Sequence, residues 1–170
     1  MPFTPFHLGP ALALGLPLKR YVHAPTFIIA NLIVDIEPFL VLALNLRYPL
    51  HGYLHTFLFA TILGLALGYI MFRLEEVLRP VFKLLLLTPS DAIGLKGYLS
   101  AGALGTVIHV LLDTPLYTDI KPFYPLTINP LYNPSLTSSI YDVCVYMGFF
   151  GLAYYVGLVL ISLFRRYRGD

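Results

Sequence analysis

The chain has 170 residues, of which 58% are hydrophobic and only 12% charged, and its mean hydropathy is +0.76. A water-soluble domain carries about 25% charged residues, so there is too little polar surface to coat a soluble globule, and lipid is the expected solvent. The net charge of +2 says little by itself, while the single cysteine, Cys144, excludes an internal disulfide and a thiolate metal cluster, and the chain shows no basic nucleic-acid face.

Taken in chain order, the first apolar segment is 7–18 ("HLGPALALGLPL"). It is too short for an ordinary span and holds Pro10 and Pro17, so it is expected to be re-entrant or a short span buried among others. No Lys or Arg precedes Lys19, so the basic region of a secretion signal is missing and this helix is expected to stay in the protein. Four stretches approach the roughly 20 apolar residues that cross a bilayer: 26–45, 53–72, 97–113 and 143–164. Between them, 73–87 ("RLEEVLRPVFKLLLL") sets charges against Leu and Val, the pattern of an amphipathic helix lying in the interface. Residues 114–140 hold five prolines among tyrosines and asparagines and read as an extracytoplasmic loop or lid. Cys144 reads as a small apolar filler in the last helix. The expected fold is therefore all-α, a single domain over 1–170. It is a polytopic membrane bundle of four to five transmembrane helices, with a short N-terminal helix and an interfacial one.

Orientation follows from the basic residues. With the tail "RRYRGD" inside, Lys19, Arg20, Arg73, Arg79, Lys83, Lys96, Arg165, Arg166 and Arg168 fall on the cytoplasmic side, and only Arg47 and Lys121 fall outside. A multi-pass protein of the cell membrane with a cytoplasmic C-terminus is the consequence.

This topology carries most of the rare polar groups to one depth, just under the outer surface. His7 begins the first segment, and His51 and His55 open 53–72. His109 and Asp113 close 97–113, while Asp35 and Glu37 lie in 26–45. His23 falls on the inner side and reads as a surface histidine. Ionisable groups inside spans cost a few kcal/mol and mark function by default; two carboxylates as near as Asp35 and Glu37 need a cation. His51 and His55 stand i, i+4, so a helix that starts early enough aims both rings at one ion, and His109 with Asp113 repeats the spacing. Asp35 and Glu37 are i, i+2 and diverge on a regular helix. Pro38 strands the Val34 carbonyl and kinks the chain, which can aim both inward; on a regular helix Asp35 is the one to keep.

Imidazole and carboxylate ligands suit zinc, and also manganese or iron. Seven candidates exceed four tetrahedral places. Two ions share the site, or some candidates orient the others and one serves as general base. Asp35 or Glu37, whichever is not a ligand, is the expected base.

The segments "FTPFHLGPALALG", "VDIEPF", "HGYLHTF" and "GTVIHVLLD" together resemble the membrane-bound metal-dependent hydrolases of the YdjM-like group, themselves distantly similar to zinc-dependent phospholipase C. The resemblance implies a multi-helix membrane protein with metal-dependent hydrolase chemistry. The implied ligands are His7, Asp35, Glu37, His51, His55, His109 and Asp113. Where members of that group often show Pro-Asp and Thr-His-Ser, this chain has Val34-Asp35 and Leu54-His55-Thr56.

A lipid phosphoester already sits at the depth of these residues, so a lipid or lipid-linked phosphoester is the expected substrate. Arg47 and Lys121 are the candidates to hold its anionic head. No nucleic-acid partner is expected; homo-oligomerisation stays open. The rival function is a membrane protein that binds or transports a divalent metal without chemistry. A transporter is expected to place its polar groups near the midplane, where only Asp35 lies. A zincin-type peptidase needs Glu inside an HExxH helix, and Gly52 holds that place.

Overall fold

The computed structural model describes residues 5–88 and 93–168, and every regular element in them is helical. In chain order these are α1 (Leu8–Gly15), α2 (Ala24–Ile33), α3 (Ile36–Ala43), α4 (Phe57–Arg73), α5 (Glu75–Leu84), α6 (Leu95–Asp113) and α7 (Thr137–Arg168). Short 3-10 turns at Pro5–His7, Tyr53–His55 and Pro134–Leu136 lead into α1, α4 and α7. Three helical stretches are long and apolar enough to cross a membrane: Ala24–Ala43, Leu95–Asp113 and Pro134–Arg168. The pair α4 and α5, bent by 87° at Leu74, makes a fourth if it counts as one span. At 1.5 Å per residue α1 is about 12 Å long, less than half of a hydrocarbon core of about 30 Å.

The packing is built on close backbone approach. α4 lies against α6 through Gly64 and Gly102, where a Cβ on either glycine would collide with the carbonyl oxygen of the other, and a Cβ on Gly68 would meet the Tyr98 carbonyl oxygen at 2.5 Å. Small residues four apart on an apolar helix allow two backbones to approach this closely. Thr106 Oγ1 donates to the Ala60 carbonyl at 2.7 Å and ties the two helices at mid-height. α2 packs on the other side of α6, with Phe27, Ala101 and Val22 in one buried cluster and Val34, Ala60 and Val110 in another. α7 touches the bundle along one line only; Cys144 and Gly151 are its buried residues.

The break between α2 and α3 positions the acids. Pro38 has no N–H to offer the Val34 carbonyl, which instead takes the Glu37 N–H at 3.3 Å. The Asp35 N–H likewise reaches back only to Leu32, at 3.2 Å. This tightening to i−3 bonds rotates the two acids apart: Asp35 turns into the bundle and is 5% exposed, and Glu37 turns toward the 52–55 segment.

Two expectations differ from what the structure contains. His51 and His55 do not share a helix, because α4 begins only at Phe57, where Thr56 caps it by accepting the Phe59 N–H. His23 is not a surface residue. It is fully buried, stacked on Tyr98 with ring centroids 4.1 Å apart, edge-on to Phe82, and its Nδ1 lies 2.7 Å from Thr26 Oγ1. Its position beside Arg20 in the sequence hides this, because the burying groups come from α5 and α6.

Candidate metal centre

One end of the bundle gathers the polar side chains. Asp35 from the α2–α3 break, His55 from the turn before α4, and His109 and Asp113 from the last turns of α6 are all buried. One ligand atom from each lies within 4.8 Å of the others. His109 Nε2 is 3.5 Å from Asp35 Oδ1 and 3.4 Å from Asp113 Oδ2, and His55 Nε2 is 3.8 Å from Asp113 Oδ2. Ligand atoms held at about 2.0–2.1 Å by one tetrahedral ion stand about 3.3–3.5 Å apart. The His109 separations match this spacing and the others are wider, so these four side chains are grouped closely enough that they could hold a metal ion.

The imidazole tautomers point the same way. His109 Nδ1–H donates to the Asn31 carbonyl at 2.6 Å, and His55 Nδ1–H donates to Glu37 Oε2 at 3.1 Å. That leaves Nε2 of each ring turned inward, and both atoms are buried with no hydrogen-bond partner. A buried, unsatisfied ring nitrogen is costly. Two of them converging on two carboxylates, each with its far nitrogen pinned by an acceptor, is the arrangement by which proteins orient histidine ligands.

The remaining expected ligands stand around this group. His7 Nε2 lies 3.0 Å from Asp113 Oδ1, and its ring stacks on His109 with centroids 3.9 Å apart. Glu37 does not point to the centre. Its carboxylate also accepts the backbone N–H groups of Gly52 and Leu54, at 2.9 and 3.2 Å, as well as the Tyr48 hydroxyl at 3.3 Å. It thus clamps the 52–55 turn and the His55 ring together. His51 meets His55 edge-on at 4.7 Å between centroids, and its Nδ1–H donates to Asp119 Oδ1 at 3.0 Å.

Asp119 was not among the expected site residues. Its signal was present but faint: it is the one carboxylate in the proline-rich 114–140 segment. Burial works against its ionisation, but the His51 ring N–H and the His51 backbone N–H, at 3.1 Å, hold the carboxyl below its ordinary range. The segment that carries it is fixed over the site. Asn129 Nδ2 donates to the carbonyls of Thr114 and Tyr117 at 2.8 and 3.0 Å, and the Phe57 N–H donates to the Pro122 carbonyl at 2.9 Å. Tyr117 lies on the His51 ring at 4.2 Å between centroids.

Next to the buried group is a cavity of about 170 Å³, lined among others by His51, Gly52, Thr56, Asp119, Lys121 and Tyr124. Lys121 thus shares a cavity with the site residues, whereas Arg47 lies on an exposed stretch and is not part of the lining. No protein-family model, no curated protein and no solved structure matches the chain, so the reading of this site rests on its own geometry.

Proposed function

We propose that the protein is a multi-pass membrane hydrolase that holds a divalent metal ion, zinc before manganese or iron, between Asp35, His55, His109 and Asp113, and cleaves a phosphoester of a lipid or lipid-linked substrate. The observation that carries the metal is the pair of buried, unpartnered Nε2 atoms facing two carboxylates. A bound divalent ion supplies a water acidic enough to attack at neutral pH.

The protein's own groups divide the rest of the work. Glu37 and the Asn31 carbonyl hold the two imidazoles in the ligating tautomer. Asp35 stands among the four and Glu37 is committed to the 52–55 turn, so neither is placed to take a proton from the cavity. His51 is: it lines the cavity, sits against His55, and has Asp119 behind its Nδ1. We assign proton transfer to His51, with Asp119 fixing its tautomer and orientation. Lys121, in the same cavity, is placed to hold a phosphate oxygen. The position of these residues at one end of helices long and apolar enough to cross a membrane supports a lipid substrate.

The test is elemental analysis of the purified protein in detergent, beside a His55→Ala/His109→Ala variant, followed by hydrolysis of defined phospholipids. Stoichiometric metal in the wild type alone, with chelator-sensitive release of a phosphorylated head or a diglyceride, is the expected result. Metal without any turnover supports the rival role of a metal-binding or transport protein. Absence of metal, with none taken up after chelation and reloading, overturns the reading.

A further inference from the structure

The end of the molecule away from the metal centre carries a second arrangement that the proposed hydrolase does not use. Two adjoining grooves of about 500 and 480 Å³ run between α5, the segment just after it, and the last turns of α7. They share Leu86, Ser162 and Arg166 as common wall. Their polar ends hold Lys19, Lys83, Arg165 and Arg166, with no carboxylate among the described lining residues. Among the described residues none of these four cations is paired with an acid; Glu75, the nearest acid on α5 that is engaged, is turned to Arg79 and His23. Their remaining walls are apolar, including Leu158, Ile161, Val159 and Leu163 of α7.

The helices explain why a groove opens here. α7 has no buried residue beyond Gly151, so its last four turns stand away from the bundle. α5 leaves α4 at 87° and meets α7 through a single polar contact, Tyr155 Oη donating to the Leu85 carbonyl at 3.0 Å. A helix bent nearly perpendicular to a spanning helix lies along the membrane surface, which puts the cations at headgroup level and the leucine walls in the hydrocarbon. Like charges along the rims of two adjoining grooves repel one another until an anion joins them. An anion with attached chains fits both parts of the groove, and basic pockets between helices at a membrane surface are where acidic lipids dock.

We propose that this groove binds the headgroup of an anionic phospholipid, its phosphate held by Lys19, Arg165 and Arg166 with Lys83 at the neighbouring rim, and its acyl chains laid along α7. The bound lipid would complete the contact between α5 and α7 that the chain leaves open. This site is separate from the metal centre and stands or falls independently of it.

The experiment is native mass spectrometry of the full chain in detergent, titrated in separate arms with phosphatidylglycerol, phosphatidylcholine and inorganic phosphate. The expected result is saturable binding of phosphatidylglycerol, little binding of phosphatidylcholine, and no displacement by phosphate. In the Lys19→Gln/Arg165→Gln/Arg166→Gln variant the affinity should fall about fivefold for each cation removed. An Arg47→Gln control, at an exposed position outside these grooves and outside the cavity beside the metal centre, should leave this affinity unchanged. The charge-keeping Lys19→Arg/Arg165→Lys/Arg166→Lys variant should restore it, which separates charge from misfolding. Equal binding of both lipids, full displacement by phosphate, an equal loss in the Arg47→Gln control, or failure of the charge-keeping variant to restore binding would each overturn the proposal.

Discussion

Two ends of the same bundle bury histidines to the same degree, and they do different things with them. At one end His55 and His109 are fully buried with Nε2 facing two carboxylates, Asp35 and Asp113, from two separate segments. At the other His23 is equally buried, but its ring lies on Tyr98 and against Phe82, and a single carboxylate, Glu75, stands 3.4 Å from its Nε2. The first set brings four ligand atoms within 4.8 Å of one another; the second packs its ring against aromatic carbon. Burial and an ionisable side chain are therefore not enough to mark a metal centre. Convergence of several ligand atoms from separate segments is the distinguishing feature, since His23 too has its far nitrogen engaged, at Thr26.

The comparison breaks most sharply on metal content. Asp113→Asn or His109→Ala should abolish stoichiometric metal, whereas His23→Ala should retain it; elemental analysis of folded, monodisperse protein reads both. Equal metal in all three variants would remove the distinction. The next effect is on turnover. His51→Gln should lower phosphoester hydrolysis about a hundredfold, the low end of what general acid–base catalysis contributes, with metal content unchanged; loss of metal in that variant would instead make His51 a ligand. Glu37→Gln touches the centre only through the His55 ring and the 52–55 turn, and should weaken metal affinity about tenfold, as loss of an orienting acceptor does. Competition against a chromogenic chelator measures it, and an unchanged affinity would deny Glu37 that role.

The smallest effect belongs to the other end. Burial pushes the His23 imidazole down to about 4, against the opposing pull of the Glu75 carboxylate. Folded protein therefore keeps His23 neutral where the unfolded chain takes up a proton, so stability should fall as pH drops from about 6.5 to about 4. His23→Gln should flatten that part of the acid slope in thermal melts. A slope unaltered by the substitution would show that other groups carry it.

Much of the helical layout could be read from hydrophobic runs alone. Residues 97–113 became Leu95–Asp113, and 73–87 became the bent-off α5, because long apolar stretches and a two-faced charge pattern are local properties of the chain. His109 and Asp113 are the clearest case at the site: one turn apart on an unbroken helix, they must face the same way. The 51–55 pair was harder, since the i, i+4 spacing means nothing where the chain is not helical, and α4 starts two residues after His55. Asp119 lies 68 residues from His51, in a segment whose course depends on how Asn129 and Pro122 tie it to the helices, so its spacing carried no information about its partner.

What the sequence determined by itself was the apolar helical character, the residue types fit for a divalent ion, and the crowding of those types toward one depth. Only the tertiary structure decided which of them meet. It turned Asp35 inward and Glu37 aside at the Pro38 break, set His7 against Asp113, gave His51 to Asp119, and enclosed His23 in aromatic rings. The physical reason is one of range. Helix formation and membrane partition are sums over neighbouring residues, whereas a ligand set is a matter of a few ångströms between atoms on separate elements, fixed by how closely Gly64 and Gly102 let α4 and α6 approach.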